Sequence, residues 1–387
     1  MLRLGIRQGA RAFLALATSV SLLILGSGAI ANENASMVKI SNLPQIVANS
    51  SFISPLVELF GDVGIGSQSF IAGNTVVRAD PGTQICIGNE TNLQDNILFL
   101  ASQETAAPAA PCGSVSSSTG NRVSIAHQAV VKNSRIGNFT FVGFNAHLNN
   151  VVLEDGAFVL HGAQVENVTI GKDKLVPIGA VITTQAEADA LPSKTHDNAE
   201  FQDEVLEVNE EFAESYGKLY DSAGYEAVTG VSRSPVTSWN VTSVSPSLGE
   251  NVQLGEFVRI VGDVQLGKDS RVGQRTSIRA DEGSPIVIGE NARIEDRVTF
   301  HALKGSDIRI GEDLRTADNI VFHGPLKVGD DLNIGDDAIL FRSTVGNNVS
   351  IGTRAIVVGV TLRDGTQVPP NAHIITQELA DKLEVVQ

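Results

Sequence analysis

From about residue 60 the chain repeats a short pattern: one aliphatic residue, commonly followed by Gly, roughly every six positions. Ile65-Gly66, Ile71-Ala72 and Val77 begin the series, and Ile87-Gly88, Ile136-Gly137, Val142-Gly143 and Ile170-Gly171 continue it. Helical spacing is absent from this stretch. Short strands, each sending one aliphatic side chain inward and turning at a small residue, predict a parallel β-helix with three flat faces. Stacked aliphatics would fill its narrow axis, and Gly would let the backbone turn the corners. An aromatic fraction of 5% fits so narrow a core.

The pattern breaks twice and then starts again. Residues 102–121 are rich in Ala, Pro, Ser and Gly and predict a loop extruded from the coil. Residues 186–220 place Val205, Val208, Phe212, Tyr216 and Leu219 at helical spacing on an acidic background, which predicts a helix packed back along the coil. Residues 225–247 read as a linker. The hexads resume at Val261-Gly262 and run through Ile288-Gly289, Ile310-Gly311, Ile334-Gly335 and Ile351-Gly352. The second series ends at 374–383, the counterpart of 181–191, with no acidic helix after it. The expected organisation is an all-β chain with a minor helix: two tandem β-helix domains, 32–224 with a C-terminal α-helix and 248–387 without one.

Composition adds three points. Arg3, Arg7 and Arg11 precede the apolar run 12–25 and a small-x-small site at 29–31, so residues 1–31 read as a signal peptide and the protein as exported, periplasmic or secreted. No later stretch could span a membrane. The formal charge is −16, and about −19 without those arginines, which disfavours nucleic acid and anionic membrane as partners. In an exported chain, Cys86 and Cys112 could pair or stay as two thiols; their spacing does not decide.

Residues 279–329 hold His301 and His323, preceded by Arg279-x-Asp281. A weaker copy runs through Arg78-x-Asp80, the Gln94-Asp95 segment and His127. These pieces, with RADPG against RADEG, NLQDNILFLAS against RIEDRVTFHAL, VITTQAEADALP, and PVTSWN at 235–240, resemble the γ-class carbonic anhydrases, twice over nearly the whole chain. The resemblance implies left-handed β-helices of hexapeptide repeats that associate as trimers, with zinc between neighbouring coils. One coil supplies the first and third histidines and its neighbour the second. By position the first copy has Leu100, His127 and Lys132 in these slots, and the second has His301, Asp318 and His323. Neither is complete, but the second copy set against the first would assemble His127, His301 and His323. The alternative, like copies stacked in separate trimers, gives His301, His323 and Asp318. Arg78, Asp80, Arg279 and Asp281 match the family's interface ion pairs.

Other slots divide the same way. The Gln that orients the zinc-bound hydroxide is Gln94 in the first copy and Glu295 in the second, and the Asn before it is Asn92 or Arg293. Asn209 matches an active-site Asn. Of the family's two active-site glutamates, one survives as Glu282 but is Pro81 in the first copy. The other, the proton shuttle, is Lys304 or Gln103, with Glu104 a conceivable substitute. The implied reaction is hydration of carbon dioxide to bicarbonate. Three neutral imidazoles on zinc, or on iron or cobalt in the same site, leave the metal charge intact and bring a bound water near neutral pKa. The other readings are a non-catalytic structural or assembly protein of the same family and a hexapeptide acyltransferase, which export disfavours because its donor is cytosolic. Two coils fill two of three places, so the expected partner is a further β-helix, from the same or another protein.

Overall fold

The computed structural model describes residues 45–46, 50–102 and 117–386. The predicted signal segment, Gln103, Glu104, Cys112 and most of the predicted loop lie outside the described residues. Strands of two to four residues stack into six sheets, three for each of two left-handed coils. Rungs pair in parallel, and the inward aliphatics fall in register: Ile71 on Leu93, Leu93 on Ile125, Ile125 on Val142, Val142 on Val159. Each coil thereby owns one continuous column of buried Val, Ile, Leu and Ala. Cys86, inside the strand Gln84–Ile87, is disulfide-bonded.

Three departures from the pattern-based expectation have local causes. Ser117–Thr119, read as part of a loop, is a strand pairing with Ile85–Cys86 and Arg135–Ile136; its buried Ser117 and Thr119 carry no aliphatic signal. The single helix expected over 186–220 is two, α1 (Gln185–Asp189) and α2 (His196–Ala223). Pro192 stands between them, its carbonyl accepting from the Leu175 amide, and Thr195 caps α2 with its side chain on the Asn198 amide. Val231–Ser232, assigned to the linker, is the first strand of an eight-stranded sheet of the second coil. A short α3 (Gln377–Asp381) repeats α1, and no counterpart of α2 follows among the described residues.

Helix α2 covers one face of the first coil. Phe212, Tyr216 and Leu219 bury against Phe52 and Phe70. Gln202 donates to the Thr140 carbonyl at 3.1 Å, fixing the first turns. The equivalent face of the second coil has no such cover, and Arg271, Arg293 and Arg315 stand exposed along it in register.

The coils pack side by side. A corner of the first carries Asn74, Asn96, Gln128 and Asn145, all with left-handed φ of 60°, 63°, 62° and 49°. Amide side chains at this bend point outward and donate across the contact. Asn74 reaches the carbonyls of Phe257 and Arg275, Gln128 those of Arg297 and Ile320, and Asn145 that of Asp337. Beside this ladder an apolar seam joins Ala126, Phe141, Phe144 and Phe158 to Val321, Ile339, Phe341 and Ile356.

Deepest in the contact sits Arg279, 3% exposed. It bonds Asp95 of the first coil at 2.8 Å and Asp281 of its own strand's end at 3.0 Å. Ser277 donates to the other Asp95 oxygen at 2.8 Å, and the Tyr216 hydroxyl of α2 donates to Asp281. The Phe70 and Phe212 rings lie 5.5 and 5.4 Å from the guanidinium carbon. Burial alone would raise both carboxyl pKa values; Arg279, joined by His127 at Asp95 and by His301 and Tyr216 at Asp281, more than reverses this and holds both below the usual range. Removing one partner of such a buried set leaves uncompensated charge. Arg279→Met is therefore expected to cost about 3–5 kcal/mol, measured as a fall in the urea midpoint, whereas Arg78→Met, whose side chain is 58% exposed, should change it little.

Candidate metal centre

Of the two eight-stranded sheets of the second coil, the one that begins at Val231–Ser232 turns its outer surface to the first coil. Thr299–His301 and Val321–His323 are adjacent strands of that sheet, with His301 directly opposite His323 in register. In each, the middle phenylalanine points inward, and the rings of Phe300 and Phe322 stack at 4.5 Å, so the flanking histidines must point out. His127 comes from the corner after Ser124–Ile125 of the first coil and meets them there. One donor atom from each of the three lies within 4.8 Å of the others, and all three residues are buried.

The separation His127 Nε2 to His301 Nδ1 is 3.1 Å. Two ring nitrogens on one tetrahedral metal would stand about 3.3–3.4 Å apart, so the spacing suits a shared ion. The Nδ1 of His323 has no hydrogen-bond partner. Burial pushes the pKa of His127 down to about 4, against the opposing pull of Asp95. Burial, then His301 and His127, push that of His323 well down. Neutral imidazole is the ligating form, so the donor set fits a borderline divalent metal, and the trio could hold one.

Surrounding groups orient the ligands. The Nδ1 of His127 lies 3.4 Å from the Asp95 carboxylate and 3.3 Å from the Asp95 amide. When Nε2 is a ligand, Nδ1 carries the proton and the carboxylate is its partner, the usual carboxylate–histidine–metal arrangement. Asp95 thus links the ligand to Arg279. His301 Nε2 lies 3.1 Å from Glu282, although the direction falls outside hydrogen-bond geometry, and the other Glu282 oxygen accepts from the Lys304 amide at 2.7 Å. Phe144 stacks on His323 at 4.6 Å and on His161 at 4.3 Å.

A cavity of about 720 Å³ opens beside the trio, with His301, His323, Gln94, Asn209 and Glu282 in its lining. Gln94 is 7% exposed and its side-chain oxygen has no partner. Asn209 donates to the Val205 carbonyl at 2.8 Å. The remaining expected residues lie elsewhere. Asp318 is exposed and accepts from the Asp296 amide at a corner, so within this chain it is no companion to His301 and His323. Glu295 and Arg293 are likewise exposed. Arg78 and Asp80 pair with each other at 2.8 Å on an open face of the first coil, away from the contact between coils. Leu100 and Lys132 line up on that same face.

Sequence reasoning did not single out Asp95 as a positioning group, the Tyr216 contact to Asp281, His161, or the glutamates of α2 that line the cavity. Asp95 was within reach, since it adjoins Gln94. The others depend on how α2 and the second coil pack.

A carbonic anhydrase of Methanosarcina thermophila is 32% identical over 242 residues, covering 53% of this chain and 96% of its own length. The chain belongs to the γ-class carbonic anhydrase family. The carboxysome assembly protein CcmM of Nostoc is 29% identical over 199 residues, which are 51% of this chain but only 35% of that protein. Gamma carbonic anhydrase 1 of Arabidopsis thaliana mitochondria is 30% identical over 140 residues, about half its length. No protein-family model matches the chain. A solved hexapeptide transferase family protein from Anaplasma phagocytophilum aligns with 45% of the chain and 92% of its own at 22% identity, with a TM-score of 0.33, too slight a likeness to bear on function.

Burial also sets a pH dependence. The pKa of His161 is pushed down to about 3 by burial, with Arg342 adding to the effect. Below about 6.5 an unfolded chain protonates this histidine and the folded one does not. Stability of the metal-free protein should therefore fall as pH drops from 6.5, by about 1.4 kcal/mol per unit for each such histidine. Asp95 and Asp281 stay ionised over that range. Urea titrations between pH 7 and 5 should show the slope, reduced by one such share in His161→Leu.

Proposed function

We propose that this protein is an exported γ-class carbonic anhydrase that hydrates carbon dioxide to bicarbonate at a zinc held by His127, His301 and His323. The observation that carries this reading is the convergence of three buried imidazoles from two coils beside a cavity lined by Gln94, whose buried side-chain oxygen has no partner. Zinc bound there would supply a water of near-neutral pKa and a Lewis acid. Gln94 would accept a hydrogen bond from the attacking water and fix its lone pair toward carbon dioxide. Ala126, Phe144, Val205 and Leu303 give the cavity an apolar wall suited to an uncharged gas. With the metal bound, the Asp95 carboxylate would hold His127 in the ligating tautomer, and Glu282 lies 3.1 Å from His301.

The second reading is a non-catalytic assembly protein. What favours it is the similarity to a carboxysome assembly protein and Lys304 in the shuttle slot. Under either reading the partner is a further β-helix. Arg78-Asp80 on the first coil and the half-buried Asp296 on the second are the equivalents of the groups that join the two coils here, and they would be the groups to meet a third.

Elemental analysis of the purified protein and of His127→Ala tests the proposal. About one zinc per chain, lost in the variant together with hydration in a stopped-flow assay, is expected. Gln94→Ala should keep the metal and lose about 10–100-fold in hydration rate. No metal in the unaltered protein would leave the assembly reading.

A further inference from the structure

Hydration converts carbon dioxide and water into bicarbonate and one proton, and the proton must reach bulk solvent on a base. The slot that serves this purpose in the family holds Lys304, whose ammonium has donors but no acceptor. Its Nζ lies 5.2 Å from the Trp239 ring, over which it is held as a cation. Glu282 is 4% exposed, accepts from the Lys304 amide and lies 3.1 Å from His301. A proton received there has still to cross to solvent.

We propose that Glu204 and Glu207 of α2 carry the proton from the cavity to solvent. This rests on the carbonic anhydrase reading and adds residues to it. Glu204, Glu207 and Glu211 follow one another at helical spacing along one wall of the cavity whose lining also includes His301, His323 and Gln94. The acidic wall alone would be a solvated helix face. Its neighbours make it more: Gln94 and His323 line the same cavity, and each has a buried side-chain atom, Oε1 and Nδ1, without a hydrogen-bond partner. Glu211 is committed elsewhere, accepting from the Ser238 amide and, at 2.8 Å, its hydroxyl. Glu204 and Glu207 are in no ion pair among the described residues and are exposed, so each can face the cavity and bulk water by a rotamer change. The charged groups facing them are Lys304 and Arg342 in the cavity lining, with Glu282 deeper. The step is a proton transfer: water attacking carbon dioxide loses a proton to a carboxylate, and a buffer base or water takes it from there.

The test compares the zinc-loaded full chain with a Glu204→Gln/Glu207→Gln variant and with Glu200→Gln/Glu214→Gln, which removes the same charge from α2 away from the cavity. In the first variant kcat at low buffer concentration should fall about 10-fold or more, while kcat/KM stays within about twofold. Imidazole buffer should restore kcat. Zinc content and the visible spectrum of cobalt-substituted protein should match the unaltered chain, which places the loss outside the metal site. The control variant should behave as the unaltered chain. An unchanged buffer dependence in the first variant, or an equal fall in kcat and kcat/KM, would overturn the relay and leave the hydration reading standing. Absence of hydration by the unaltered zinc protein in every buffer would remove both.

Discussion

Arg279 reaches from one β-helix to the Asp95 carboxylate of the other, inside a contact closed to water. A buried guanidinium is tolerable only when its charge is met, and here Asp95 and Asp281 meet it from two sides. The geometry of the centre follows. Asp95 stands against His127, Asp281 ties in Tyr216 of α2, and the strand carrying Arg279 is hydrogen-bonded to the strand carrying His301. One ion-pair cluster therefore sets the coil-to-coil register, the seat of α2 and the orientation of a candidate ligand.

The duplication has divided labour between its halves. The second coil keeps two histidines on one sheet, while its exposed corners carry Glu295 and Asp318. The first coil keeps His127 and Gln94 on the side that meets those histidines, while Leu100 and Lys132 occupy its open face. Only one of the two possible kinds of contact between the halves thus brings three histidines together, and that contact lies within the chain. Helix α2 walls that cavity, and the matching face of the second coil has Arg271 in place of Phe70 and Asn333 in place of Phe141. Each loss falls where the retained centre does not need the residue.

Much of the fold was legible because a β-helix is close to a one-dimensional object. The aliphatic-Gly spacing marks each inward side chain and each corner without reference to distant residues. The errors fell where local chemistry competes: Pro192 splitting the helix, buried Ser117 and Thr119 forming a rung, and Val231–Ser232 joining a sheet from within a supposed linker. For the site, slot matching selected His127, His301, His323, Gln94, Glu282 and Asn209, and all six fall in or beside one cavity. The interface residues split: Arg279 and Asp281 are buried between coils, while Arg78 and Asp80 are not.

By itself the sequence determined two stacked series of rungs, their apolar axes, one amphipathic helix and a set of histidines incomplete in each half. These follow from residue type and near-neighbour spacing. Tertiary structure decided that unlike halves meet, that three imidazoles share one buried point, and that α2 turns its glutamates to the cavity. Those outcomes depend on packing between surfaces some 174 residues apart in the chain, the separation of His127 and His301. No repeat period carries that information, because it resides in the fit of one coil's corner against the other's face.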